Sequence, residues 1–193
     1  LHFQQVFKCL ELMGYPQAKD CFHLDYAQVV LPDGKMSSRK GNIILFSALK
    51  DRLRTKILSE FLEKYRGEWP DGEIDDAAYA LALGTIRYGM LSQDNGSQII
   101  FDLDEWTSRS GNTGPYMMYA YARTRSILRE VGAVEERPGA FERLADDTER
   151  ELLVYLDSYG EFVERAAEQY APHIICGYVF ELARRFNRWY AQC

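Results

Sequence analysis

The sequence has few of the residues that build metal centres or disulfide frameworks. Its 193 residues include only four cysteines and three histidines. The cysteines show no C-x-x-C spacing and the histidines stand far apart, so no metal site is expected and the thiols are expected to be reduced. No histidine is assigned to catalysis, and His23, in an apolar segment, is expected to be a hydrogen-bonded core residue.

Long apolar runs, internal repeats and low-complexity tracts are also absent from the sequence. No apolar run approaches the ~20 residues of a membrane span. Hydrophobic residues make up 47% and charged residues 27%, which is typical of a globular chain. We therefore expect a soluble, cytoplasmic protein with no membrane partner. The chain opens at Leu1 on an amphipathic segment without the cationic start of a signal peptide, and we expect it to begin within a domain.

Charge is unevenly distributed along the chain. The net charge of -6 argues against indiscriminate nucleic-acid binding. However, residues 35–66 hold nine Lys/Arg against three acids, whereas residues 135–168 hold eleven acids against four arginines. This polarity fits a protein that holds one shaped nucleic acid in one orientation.

The periodicity of apolar residues predicts a mainly α-helical chain. A helix over residues 1–13 leads into one or two extended segments over 21–31, as at the end of a doubly wound nucleotide-binding fold. After Phe46 the pattern is helical, with a short extended segment at 98–102. The expected later helices start at Ser47, at Asp75 or Asp76, at about Pro115, and at residues 149, 161 and 174.

Residues 35–42 (KMSSRKGN) have the composition of a phosphate-handling loop. Three cations, two serines and one glycine lie within eight residues, directly after a Pro-Asp-Gly turn. Lysine supplies a movable point charge, serine supplies short donors, and glycine allows close backbone approach to an anion. A triphosphate is the expected ligand, and the alternative is an ordinary solvated turn.

A second candidate site lies on the helix that starts near Pro115. Tyr116, Tyr119 and Arg123 follow one another at i, i+3 and i+7, so two phenol rings and a guanidinium share a face. Such a face can stack on unpaired bases while the guanidinium meets a phosphate or a base edge. The alternative is an ordinary aromatic core stripe. Arg125 and Arg129 are expected to extend the positive strip.

Three further arginines and three acids complete the candidate residues. Arg184, Arg185 and Arg188 lie off the apolar stripe of the last helix and are candidates for contact with a nucleic-acid backbone. The acids Asp102, Asp104 and Glu105 could suggest a paired-acid hydrolase or a Mg²⁺ site. We favour a structural role for them, because acids near a helix start interact favourably with its dipole.

The order of these motifs resembles the C-terminal part of an arginyl-tRNA synthetase. The segments HFQQVF, LPDGKMSSRKGN, FDLDEW, GNTGPYMMYAYAR and FELARRFNRWY follow the order of that family over essentially the whole chain. The loop at Lys35 is similar to the KMSKS signature of class I aminoacyl-tRNA synthetases. The two tyrosines and the arginine after Gly-Pro select the arginine enzyme.

The resemblance implies a fold, a reaction and roles for the named residues. It implies the end of a Rossmann-like catalytic domain at 1–46, carrying the ATP loop, and an α-helical anticodon-binding bundle at 47–193. The catalytic and ATP-binding residues implied are Lys35, Met36, Ser37, Ser38, Arg39 and Lys40. Ser38 stands where the signature has its second lysine, so either Arg39 or Lys40 supplies that charge. Tyr116, Tyr119 and Arg123 match the anticodon-contacting face.

The implied reaction couples ATP, L-arginine and tRNA(Arg), with Mg²⁺ on the triphosphate and no metal or prosthetic group bound to this chain. The His-Ile-Gly-His motif and most of the amino-acid pocket are expected before Leu1. We therefore expect the chain to be a monomer and to be inactive alone. Two alternatives stay open at this stage, a stand-alone tRNA-binding module and a helical protein-interaction scaffold.

Overall fold

A computed structural model of the chain describes residues 2–32, 45–132 and 144–192. These ranges are mainly helical, as the sequence predicts. The α-helices they contain are α1 (His2–Leu12), α2 (Phe46–Ile57), α3 (Asp71–Leu91), α4 (Leu103–Trp106), α5 (Gly114–Val131), α6 (Asp147–Asp157), α7 (Tyr159–Glu168) and α8 (His173–Gln192).

Two short strands join the first part of the chain to the helices. Strands β1 (Val29–Val30) and β2 (Ile99–Ile100) pair in parallel, with Val29 opposite Ile99. The pairing continues past β2, where the Phe101 N–H donates to the Val30 carbonyl at 2.8 Å. The predicted extended segments thus pair with each other, although regular strand covers only two residues of each.

Helices α2 and α3 build the main hydrophobic core with β2 and α4. In α2, Leu49, Leu53 and Ile57 recur every four residues and are all buried. A π-helical turn, Leu58–Leu62, then follows, and its wider turn returns Leu62 to the buried side. The α3 face that meets them carries small and branched residues at the same spacing, namely Ile74, Ala78, Ala82 and Ile86.

Helices α2 and α3, like α5 to α8, start before the positions that the sequence predicts. Helix α2 begins at Phe46 after Leu45, and Ser47 lies inside its first turn rather than capping it. Helix α3 begins at Asp71 rather than at Asp75 or Asp76. Pro70 fixes the entry to α3, since its carbonyl accepts from the N–H of Ile74 at 3.1 Å. Asp71 then adds a negative charge that the helix dipole favours.

The remaining helices form a second packed group. Helix α5 packs on α3 and on α8, and α8 also packs on α6 and α7. The aromatic centre of this group is Tyr178, whose ring stacks on Tyr155 at 4.9 Å and tilts against Phe162 at the same distance. The Tyr178 hydroxyl donates to the Tyr155 carbonyl at 3.1 Å, which satisfies the buried phenol.

Helix α1 contrasts with the others because none of its residues is buried. Phe3 and Val6 of its apolar stripe are exposed. The core role expected for His23 is wrong, since this residue is exposed and its ring stacks on Phe3 at 3.9 Å. The apolar surroundings of His23 in the sequence thus belong to a surface rather than to a core.

Candidate functional site

Two features fix the start of helix α5, a side-chain cap at Thr113 and a close backbone contact at Gly114. The Thr113 hydroxyl caps the helix by accepting from the Tyr116 N–H at 3.3 Å and donates to the Ser108 carbonyl at 2.6 Å. Gly114 follows, and a Cβ at that position would lie 2.8 Å from the Thr85 Cα. The glycine therefore allows the backbones of α5 and α3 to approach closely.

A tyrosine of α3 fixes the loop just before α5. The Tyr88 hydroxyl lies 2.5 Å from the Asn112 Oδ1 and 3.1 Å from the Cys176 carbonyl, and donates its proton to these acceptors. Burial raises the pKa of this phenol, so it stays a neutral donor. Tyr88 thus ties α3, the loop before α5, and α8 together.

The residues predicted to share a face of α5 do meet there. The Arg123 Nη2 donates to the Tyr119 hydroxyl at 2.6 Å, and the guanidinium carbon lies 4.8 Å from the centre of the Tyr119 ring. Tyr119 is 53% exposed, so its ring is accessible to a ligand. Tyr116 lies one turn earlier, partly buried, with its ring edge against Phe180.

Two residues of α8 complete this face, and the sequence analysis did not find them. The Asn187 Oδ1 accepts from the Arg123 Nη1 at 2.7 Å, and the Asn187 Nδ2 donates to the Tyr116 hydroxyl at 2.9 Å. The Tyr190 ring lies 4.9 Å from the guanidinium carbon. An asparagine inside an apolar helix, three residues before a tyrosine, is the signal that could have indicated them.

We call these five residues the guanidinium face, namely Tyr116, Tyr119, Arg123, Asn187 and Tyr190. The Arg123 guanidinium is held by neutral groups, two aromatic rings and two hydrogen-bond acceptors. Within the described ranges no carboxylate forms an ion pair with it. Its positive charge is therefore held in place but not neutralised, an arrangement suited to an incoming anion or base edge.

The other arginines proposed as cationic contacts behave differently. Arg184 pairs with Glu181 at 2.8 Å, and Arg188 pairs with Glu151 of α6 at 3.1 Å. These pairs offset much of the positive charge of that surface. Arg125 and Arg129 are exposed, but at 3.6 residues per turn they lie about 160° and about 120° around α5 from Arg123, so they do not extend its strip.

The acids at 102–105 have structural roles, as the sequence analysis favoured. The Asp102 carboxylate caps α4 by accepting from the N–H groups of Asp104 and Glu105 at 2.8 and 3.0 Å. Asp104 pairs with Lys56 at 2.6 Å. The Lys56 ammonium donates hydrogen bonds to the carboxylates of Asp104 and Glu60, and these bonds raise its pKa. In the part of the chain that the structure describes, no cluster of three or more metal-ligating side chains occurs.

The predicted phosphate-handling loop lies outside the described residues. This applies to Lys35, Met36, Ser37, Ser38, Arg39 and Lys40, so their roles stay predictions. Immediately before the loop, Val30 is buried and Leu31 packs against the α2–α3 core.

None of the described helices is long and apolar enough to cross a membrane.

Two families of known proteins match this chain. Residues 1–103 match the family described as "tRNA synthetases class I (R), catalytic domain". Residues 117–193 match the family described as "DALR anticodon binding domain". The second match includes four of the five residues of the guanidinium face, namely Tyr119, Arg123, Asn187 and Tyr190.

Individual proteins are similar over the whole chain. An arginine–tRNA ligase of Bdellovibrio bacteriovorus is 42% identical over 193 residues, which are 100% of this chain and 33% of that protein. The enzyme of the same name from Clostridium acetobutylicum is 34% identical over 98% of this chain and 33% of its own length. The chain thus spans about a third of the length of these curated relatives.

A solved structure supports the same relationship. The arginyl-tRNA synthetase of Thermus thermophilus superposes with a TM-score of 0.79 and 34% identity, covering 96% of this chain and 30% of that one. The Plasmodium falciparum arginyl-tRNA synthetase, at 19% identity and a TM-score of 0.75, shares the fold.

Proposed function

Because this chain belongs to the class I tRNA synthetase family whose catalytic domain matches residues 1–103, we propose that it is the C-terminal part of an arginine–tRNA ligase. The complete enzyme activates L-arginine with ATP, as its Mg²⁺ complex, and transfers the arginine to tRNA(Arg). This chain supplies the ATP loop and anticodon recognition. We place the end of the catalytic domain at 1–46 and the anticodon-binding domain at 47–193, because the helical part begins there; the match to the catalytic-domain family extends past this boundary to residue 103.

The observation that carries the proposal is the guanidinium face. It presents a half-exposed tyrosine ring beside a cation that no described carboxylate pairs with. Unpaired bases of an anticodon loop stack on such rings, at ~1 to 3 kcal/mol per base. The guanidinium adds a charge-assisted hydrogen bond to a phosphate or a base edge. An anticodon, with its bases unstacked in a loop, is the ligand that this chemistry fits best.

The proposal is tested by Tyr119→Ala and Arg123→Ala in a full-length synthetase carrying this chain. Each change should weaken the binding of an arginine tRNA by ~1 to 3 kcal/mol, with far less effect on an unrelated tRNA. The matched control is Arg125→Ala, an exposed arginine of the same helix away from the face. Melting temperatures of all variants are measured in parallel. Unchanged affinity per folded molecule would return these residues to a purely structural role.

The second element of the proposal is the loop at Lys35. When the arginine carboxylate attacks the α-phosphate of ATP, pyrophosphate leaves and negative charge grows on the triphosphate. Lys35, with Arg39 or Lys40, would stabilise that charge, and Ser37 and Ser38 would donate hydrogen bonds. This role follows from the resemblance of residues 35–42 to the family signature.

Lys35→Ala in the full-length enzyme should lower kcat for adenylate formation by ~10² or more and leave KM for arginine nearly unchanged. Lys64→Ala, which removes a cation outside the loop, is the control and should change neither. A change confined to arginine affinity would contradict the role of Lys35.

Three further properties belong to the same proposal. The enzyme is a monomer and works in the cytoplasm, and the 193-residue chain alone does not catalyse exchange between ATP and pyrophosphate. Exchange by the purified chain well above the level of a preparation carrying Lys35→Ala would contradict the proposal that this chain is inactive alone. Loss of tRNA binding with increasing salt distinguishes this function from that of a protein-interaction scaffold, which would bind no tRNA.

A further inference from the structure

We infer that Asn187 is a positioning residue that holds the Arg123 guanidinium ready for tRNA, an inference that rests on the proposed function. Asn187 lies on α8, whereas Arg123 and Tyr116 lie on α5. Its side-chain amide makes one hydrogen bond to each of them. It is therefore the polar link through which α8 sets the geometry of the face on α5.

The two hydrogen bonds of Asn187 fix the direction of its amide. Arg123 has only donors, so it must meet the Oδ1, and the distance to Nη1 is 2.7 Å. The Nδ2 group then points at the Tyr116 hydroxyl, 2.9 Å away. Because that hydroxyl accepts, its own proton stays available to a ligand. The amide thus orders a cation and a phenol at the same time.

The remaining contacts show what Asn187 adds to the guanidinium face. The rings of Tyr119 and Tyr190 lie near the guanidinium at 4.8 and 4.9 Å and limit its movement out of plane. Among the described residues, the hydrogen bonds that restrict rotation of the guanidinium within its own plane go to Asn187 and to the Tyr119 hydroxyl. An arginine side chain that is not held in place before binding loses rotamer freedom when it binds, and this entropy loss lowers affinity.

Two of the five guanidinium donors are used within the face. The Nε–H and one hydrogen on each Nη remain for an acceptor on the RNA. With Asn187 in place these donors have fixed directions before binding. Without it, the guanidinium must be ordered during binding, so both affinity and discrimination between anticodons should fall.

The test is a double-mutant cycle in the full-length synthetase, with an arginine tRNA transcript and an otherwise identical transcript carrying a substituted anticodon. Asn187→Leu should weaken binding of the arginine tRNA about tenfold and lower its preference over the substituted transcript. In an Arg123→Ala background the same change should have a much smaller further effect, because only the contact of Asn187 with Tyr116 remains. A purely structural role for Asn187 would give equal losses in both backgrounds.

Controls separate folding from positioning. Gln192→Leu makes the same kind of change at the exposed end of α8 and should leave binding unchanged. Asn187→Ser, which is too short to reach Arg123, repeats the test with a smaller polar side chain if the leucine variant folds poorly. Affinities are compared per folded molecule from the melting curves.

The outcomes distinguish the two proposals. If Arg123→Ala weakens tRNA binding but neither Asn187 variant does, the positioning role is wrong and the proposed function stands. If Arg123→Ala itself leaves tRNA binding unchanged, the anticodon-recognition proposal fails, and the positioning role fails with it.

Discussion

Helices α1 and α2 are both amphipathic, yet only α2 buries its apolar stripe. Leu53 and Ile57 of α2 have no exposed surface, whereas Phe3 and Val6 of the apolar stripe of α1 are 49% and 44% exposed. The difference is that α2 packs on an α3 face of small and branched side chains at matching spacing, whereas no face of this kind meets α1 among the residues that the structure describes. An amphipathic pattern thus predicts that a helix forms but not what covers it.

The largest expected effect tests this contrast directly. Leu53→Ala should lower the free energy of unfolding by ~2 to 5 kcal/mol, because it leaves a cavity between α2 and α3. Val6→Ala on α1 should change it by about 0.5 kcal/mol or less. Urea denaturation of both variants measures the difference. Equal losses would show that the α1 face is covered in solution.

The next contrast concerns two glycines in helices. Gly114→Ala should destabilise the fold by ~1 to 3 kcal/mol, since the new Cβ would meet the α3 backbone at Thr85. A Cβ at Gly160 in α7 would have no neighbour within 4 Å, so Gly160→Ala should stabilise the fold by up to ~1 kcal/mol through helix propensity. Melting temperatures should therefore move in opposite directions. A tolerated Gly114→Ala would contradict the close approach of α5 to α3.

A third contrast is between the partly buried Tyr88 and the exposed Tyr26. Tyr88→Phe removes a hydrogen bond to the loop before α5 and should cost ~0.5 to 1.5 kcal/mol at neutral pH. Because the pKa of Tyr88 is raised in the fold, its contribution is present below the ordinary tyrosine value and is lost as the pH rises above about 10.

Alkaline denaturation followed by circular dichroism measures this effect of Tyr88. The stability of Tyr88→Phe should fall less steeply above about pH 10 than that of the parent chain. Tyr26→Phe, at a side chain that is 89% exposed, is the control and should follow the parent curve. Parallel curves for Tyr88→Phe and the parent would show that the phenol is not protected by burial.

The smallest expected effect is at the start of α6. Asp146 caps this helix in a capping box with Glu149, and hydrogen bonds from Thr148 lower the pKa of its carboxyl. A lowered pKa gives stability that is present above the ordinary aspartate value and is lost as the pH falls through the folded value. Asp146→Ala should lower the melting temperature at pH 7 and reduce its dependence on acid pH.

Asp147→Ala is the matched control, because it removes the same charge from the first turn without removing the cap. It should lower the melting temperature less than Asp146→Ala does. If the two variants melt alike, charge rather than capping stabilises the start of α6.

The sequence indicated three of the five residues of the guanidinium face. Helical periodicity placed Tyr116, Tyr119 and Arg123 together, because spacing within one helix fixes which side chains share a face. Asn187 and Tyr190 were missed, since α8 follows α5 by more than forty residues and no local pattern shows which of its sides meets Arg123. The paired state of Arg184 and Arg188 was missed for the same reason.

The sequence by itself determined the family, the mainly helical fold and the order of the motifs, because these depend on local periodicity and on residue types at fixed spacing. The tertiary structure alone decided how the Arg123 guanidinium is held, that Arg184 and Arg188 pair with acids, and which apolar faces are buried. Both depend on contacts between residues far apart in the chain, such as Asn187 with Arg123 and Glu151 with Arg188. Such contacts follow from how the helices pack, which no single helix encodes.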